Sequence, residues 1–218
     1  MKGIVLSVRN GKTAHAKLSL CDLRRGFKRY GAYAFFFLIS AVSVFAGAFL
    51  SKYDGISEGI GYFFGTDVLT RSDVGFTEIF AVYLSSSFFL MLTVLILGFC
   101  ALSAPFLPVF VSFKAVSIGN FAASLCKTYG AKGILYYFLN CFLCDTIVLV
   151  LLCIECRHSL SLSVDMFKSV ILGRFEAGSL RDNAKDFAFK CSNILALTAV
   201  ASAVCAALHF VLSGAVSL

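Results

Sequence analysis

The sequence predicts an all-α integral membrane protein: a bundle of five transmembrane helices, with the N-terminus cytoplasmic and the C-terminus outside. Three observations carry that reading. Of 218 residues, 59% are hydrophobic and only 14% charged, against about 25% charged in an ordinary soluble domain. Mean hydropathy is +0.89. Five stretches also supply the roughly 20 apolar residues that a helix needs to cross about 30 Å of hydrocarbon. A water-soluble fold of this composition lacks the polar surface to cover itself. Collagen, disorder, a disulfide mini-scaffold and an ordinary cytosolic enzyme are excluded.

Residues 1–30 form a cytoplasmic N-terminal segment. Ile4 to Val8, Asn10-Gly11 and Thr13 to Lys17 resemble a small hairpin, which alone is marginal in water, so residues 1–18 read as a flexible tail. Ser19 and Asp22 suit a helix start. Leu20, Leu23, Phe27 and Tyr30 then share a stripe beside Arg24, Arg25, Lys28 and Arg29, the pattern of an interfacial helix.

The membrane domain, 31–218, opens with a charge-free span at 31–50. Ala46-Gly47-Ala48 resembles a signal-peptidase site, but the long segment before the apolar run predicts an uncleaved span. No acid or base interrupts Ile79 to Phe113, a stretch of about 52 Å as one helix and too long for one crossing. Pro105 and Pro108, the chain's two prolines, fall near its middle and divide it into spans at 79–102 and 105–126. Spans at 133–154 and 191–214 complete the five. Lysines and arginines set the direction: eight in the N-terminal segment and six in 155–190, against four in 51–78 and 127–132 together. The positive-inside rule places the first two segments in the cytoplasm. The net charge of +7 then faces anionic lipid, and no nucleic-acid partner is needed to explain it.

The outer loop 51–78 holds five acids and two bases, with glycines at 55, 59, 61 and 65; in a polar loop their GxxxG spacing is a weak packing signal. In the cytoplasmic loop 155–190, Val164, Phe167, Ile171 and Phe175 repeat at helical spacing near Lys168, Arg174 and Arg181. That pattern predicts an amphipathic helix on the inner leaflet, with a docking face for a cytoplasmic ATPase as the alternative.

Catalytic signatures (HExxH, GxSxG, a P-loop) do not occur, so no enzyme and no cofactor are expected. Cys141-x-x-Cys144 and Cys153-x-x-Cys156 suggest a double CxxC metal site. However, residues 12 apart on one helix lie about 18 Å apart along its axis, too far to share an ion. His209 alone among the histidines falls in a span, and reads as structural. The distinctive feature is a charge pair: Lys114 in the third span and Asp145 in the fourth each lie about 14 Å from the inner end of their helix. Ionisable groups in hydrocarbon pair or face a cavity, so Lys114 and Asp145 are expected to meet, with Ser117 and Asn140 as polar company. The pair reads as a structural latch or as part of an ion path. Ala199, Ala203 and Ala207 form a small-residue stripe suited to helix packing.

The run Gly98, Pro105-x-x-Pro108, Phe113-Lys114, Ile118-Gly119 and Gly130-Ala131-Lys132-Gly133 resembles the stage II sporulation protein M family, over roughly residues 25–214. Where that family's fourth span tends to carry Pro and Asn, this chain has Leu143 and Asp145. The resemblance implies a bacterial, multi-pass plasma-membrane protein, non-enzymatic, acting as a scaffold at the septal or engulfing membrane. Its implied partners are the lipid bilayer and membrane-anchored peptidoglycan hydrolases, with no small-molecule substrate. The alternative from the residues alone is a permease subunit partnered by a cytoplasmic ATPase.

Overall fold

A computed structural model describes residues 20–66, 68–70, 74–171 and 177–213. The chain divides into two units, residues 1–32 and 33–218. The expected hairpin or tail at 1–18 lies outside the described residues, as do the side chains of the expected interfacial stripe. Residues 20–30 are helical, within α1 (Leu20–Leu50).

After α1 come α2 (Asp54–Phe64), a 3-10 turn at Val68–Thr70, α3 (Phe76–Gly98), α4 (Leu107–Tyr129), α5 (Ala131–Asn140), α6 (Phe142–Ile171) and α7 (Ala177–Ser213). Among the described residues, five helices are long and apolar enough to cross a membrane, and the protein is a multi-pass membrane protein. Its outward side chains fit that medium: Phe45, Leu38 and Val42 on α1 are 77%, 65% and 61% exposed, a surface water would not tolerate on a monomer.

Three expectations are corrected. The outer loop contains a helix, α2, which Gly65 ends: its φ is +67°, and its N–H reaches the carbonyls of Gly61 and Tyr62. A left-handed residue that satisfies the last carbonyls is the usual glycine stop. Gly55 and Gly59, in contrast, face open space, so the GxxxG spacing there packs nothing.

The fourth span is not 133–154. The helix long and apolar enough to cross there is Phe142–Ser169, within α6, which runs on to Ile171, and α5 is a separate short helix before it. Likewise α7 begins at Ala177, well before 191. What reads as a cytoplasmic loop is thus largely two helix ends packed together through Leu162, Phe187 and Cys191. Mutual burial replaces the expected inner-leaflet helix. Val164 is half-buried and Phe167 exposed; Ile171 and Phe175 fall outside the described side chains.

The proline turn is as the sequence suggests in kind, shifted by two residues. Phe106 precedes the first turn of α4 and Pro108 sits within it, where a missing N–H costs nothing.

Helices α3, α6 and α7 pack on one another, and α4 on α5 and α6. The α1–α4 crossing is a backbone contact. A Cβ on Gly47 would lie 2.1 Å from the Val116 carbonyl oxygen, and one on Gly119 2.0 Å from that of Val44. Only glycine permits this approach. The rest of the α1 stripe is Phe36, Ser40 and Ser43, all buried. At the α5 start, a Cβ on Gly133 would meet the Leu125 oxygen at 2.2 Å. Two of the glycines that carry the family resemblance, Gly119 and Gly133, therefore have a packing reason in this chain.

Candidate intramembrane polar site

The interior near the α2 end of the bundle is built from Phe121, Leu125, Ile79, Cys141, Cys144 and their neighbours. Within this apolar wall, Lys114 on α4 reaches Asp145 on α6, Nζ to Oδ1, at 3.7 Å. The two side chains are only 8% and 15% exposed. Such a pair recovers the large cost of desolvating two charges only if further polar groups satisfy them. They are present. The Tyr137 hydroxyl donates to the other carboxylate oxygen, Oδ2, at 3.4 Å. On the lysine side, the Phe64 ring of α2 lies 5.3 Å from Nζ, within cation–π range.

Ser117, 3% exposed, lines a cavity of about 20 Å³ together with Lys114, Asp145, Tyr83, Ser86 and Thr66. That is room for about one water among several polar partners. Asn140 does not join them. It is 1% exposed, lies off the cavity wall, and neither polar atom of its side chain has a hydrogen-bond partner.

A second polar cluster meets this cavity through Tyr83 and was not expected from sequence. His209 of α7 is 2% exposed and stands between two tyrosines. Tyr83 Oη is 3.4 Å from Nδ1, and Tyr136 Oη is 3.1 Å from Nε2. Tyr136 also donates to the Leu69 carbonyl at 2.8 Å. A carbonyl only accepts, so the one Tyr136 proton is committed there, and Nε2 of the neutral ring must carry the hydrogen. Nδ1 is then an acceptor facing Tyr83, whose hydroxyl also lies 3.8 Å from Cys141 Sγ as a donor. His209 is thereby fixed in one tautomer by three elements.

The alanine stripe is corrected. Ala207 is exposed, and Ala199 and Ala203 are half-buried. The inward face of α7 is Thr198, Ser202, Cys205, Ala206 and His209. Small residues with a polar atom gain from facing protein, as Thr198 does in reaching Met91 Sδ of α3 at 3.4 Å; alanine methyls lose nothing against lipid.

Glu155 is a further buried group that the sequence hides. It reads as the first residue of a loop, yet it is 0% exposed on α6, and neither carboxylate oxygen has a partner. The signal was periodicity: Leu151, Leu152, Glu155, Ser159 and Leu162 are all buried and recur every three or four residues. The paired cysteines fall in separate clusters, Cys141 and Cys144 in one and Cys153 and Cys156 in the other; all are free thiols.

Comparison with protein-family models, with curated proteins and with solved structures finds no match to this chain.

Proposed function

We propose that this protein is a non-enzymatic membrane scaffold of the kind its resemblance to the stage II sporulation protein M family implies. In this reading it sits in a bacterial plasma membrane with the N-terminus inside and the C-terminus outside. There it assembles or localises membrane-anchored peptidoglycan hydrolases at the septal or engulfing membrane during sporulation. One observation supports the reading from the chain itself: the buried polar side chains tie helix to helix. Lys114–Asp145 joins α4 to α6, His209 joins α7 to α3 and α5, and Ser163 of α6 meets Ser103 of the proline turn at 3.2 Å. A bundle latched at several levels presents a fixed outer surface, which a scaffold requires.

A second reading, a permease subunit with a cytoplasmic ATPase, draws on the cavity beside Lys114 and Asp145 and on the titratable groups around it, which a transport path would use. Affinity purification in mild detergent, at septation and in vegetative growth, separates the two. Recovery of wall hydrolases at septation supports the scaffold. Recovery of an ATP-binding subunit from growing cells overturns it and makes the Lys114 site part of a path.

A further inference from the structure

Helix α2 does not rest across the end of the bundle; it descends along α4. At its first residue, Asp54 pairs with Lys127 at 2.6 Å, two residues from the end of α4. One turn on, the Ser57 carbonyl accepts from Asn120 Nδ2 at 3.3 Å. In the last turn, the Phe63 and Phe64 rings lie 5.3 and 5.1 Å from that of Phe113. The partners on α4 recede as α2 advances, so the two helices run antiparallel. Phe113 is 14 residues before Lys127, about 21 Å along the axis, and past the middle of a helix apolar enough to cross the membrane. Against α3 the descent is shallower: a Cβ on Gly65 would lie 3.1 Å from a Val82 methyl, six residues or about 9 Å into that helix. The two neighbours bracket about 15 Å, half the thickness of the hydrocarbon.

The faces of α2 are sorted accordingly. Asp54, Ser57, Glu58 and Gly61 line the pocket toward the end of α4, so the acids keep to the side that opens to water. On the opposite side Ile56 and Phe63 are 49% and 56% exposed, and no charged residue shares their stripe. Through the Phe63–Phe113 ring contact that stripe continues onto the outward face of α4, where Val109 and Phe113 are exposed. At the bottom of the descent the chain leaves the helix, and backbone at such a depth must find its hydrogen bonds within the protein. It does so. The Thr66 N–H reaches the Gly61 carbonyl at 3.0 Å and the Leu69 N–H the Thr66 carbonyl at 3.1 Å. The carbonyl of buried Leu69 accepts from Tyr136 at 2.8 Å. A surface turn would leave that carbonyl to water.

We propose that α2 is a re-entrant helix: it enters the bilayer from the side of the α4–α5 connection and ends near the middle, with its Ile56–Phe63 face covered by the acyl chains of that leaflet. Phe64, which lies against Lys114 Nζ and lines the cavity there, then makes α2 the wall between the Lys114–Asp145 site and lipid. This holds for either reading of the function.

The test exploits a chain that contains no tryptophan. Phe63→Trp and Tyr53→Trp each put one indole at an exposed aromatic position, the second in the turn before α2. The full chain is reconstituted in phosphatidylcholine vesicles, plain or brominated on the acyl chains near the headgroup or near the chain end. The F63W indole should lose most of its emission to chain-end bromines, less to headgroup-side bromines and little to acrylamide in the water. The Y53W indole should show the reverse order. The proposal is overturned if acrylamide quenches F63W as strongly as Y53W, or if headgroup-side bromines quench F63W more than chain-end ones, since α2 would then lie at the surface. It is also overturned if neither set of bromines quenches F63W, because protein would then cover the face. Should F63W not fold, Ile56→Trp takes its place: stronger quenching by bromines than by acrylamide is expected, and the opposite overturns the proposal.

Discussion

Asp145 divides its two carboxylate oxygens between helices: Oδ1 faces Lys114 of α4 at 3.7 Å and Oδ2 accepts from Tyr137 of α5 at 3.4 Å. The carboxylate therefore anchors three consecutive elements at one point, and the consequences of breaking it are specific. Removing one member of a buried ion pair strands the other and costs about 3–5 kcal/mol, whereas replacing both with apolar groups is often neutral. Lys114→Met and Asp145→Asn should each lower the thermal midpoint in detergent, and Lys114→Met with Asp145→Leu should recover most of the loss. The pairing is refuted if D145N melts as the parent while K114M collapses.

Gly47 and Gly119 should not tolerate a methyl group. The atoms in the way are carbonyl oxygens of the opposite backbone, which cannot rotate aside. Overpacking of this kind costs about 1–3 kcal/mol. Gly119→Ala and Gly47→Ala should therefore unfold earlier. Gly55→Ala and Gly59→Ala, on the open side of α2, should be neutral or gain up to about 1 kcal/mol. The four melting curves compare the two classes directly.

For His209, the expected loss follows from the groups left behind. His209→Phe keeps the ring volume but deprives Tyr83 and Tyr136 of a shared partner; each lost buried hydrogen bond costs about 1–3 kcal/mol. His209→Gln, which keeps one donor and one acceptor, should lose less. Equal melting of H209F and the parent would show that the tyrosines do not depend on the ring.

The buried Glu155 behaves in the opposite sense. Its carboxyl lacks partners in an apolar surround, so Glu155→Leu should raise stability by about 1 kcal/mol or more, because burying a polar group without hydrogen bonds is unfavourable. Destabilisation by E155L in the unfolding curve would contradict this.

The Lys127–Asp54 bridge is close, at 2.6 Å, but its side chains are 56% and 77% exposed. Exposed pairs contribute about 0–1 kcal/mol. Lys127→Ala should move the thermal midpoint little, and a large drop would contradict the exposed geometry.

The spans were legible because hydrocarbon demands long apolar runs whatever the neighbours are. Lys114 and Asp145 were legible for the same reason: charges stand out in such runs, and a short connection forces adjacent antiparallel helices. The end of the fourth span was not. Glu155 and Arg157 look like the start of a loop, yet α6 continues because its inward face is covered by other helices; Ser159, for example, donates to the Val94 carbonyl of α3 at 3.2 Å. The His209 cluster was equally hidden, since it needs α3, α5 and α7 to meet, and no local spacing encodes that. The alanine stripe misled because small size does not set which face turns inward: Ala206 is buried while Ala207 is exposed.

The glycine crossing of α1 on α4 sets a timing for biosynthesis. Gly47 leaves the ribosome about 70 residues before Gly119, and at about 5–20 residues per second that is an interval on the order of several seconds. Throughout it, the groove on α1 that receives the Val116 carbonyl lacks its α4 partner. A nascent chain stalled before α4 would expose that groove to membrane quality control, and a completed chain would close it.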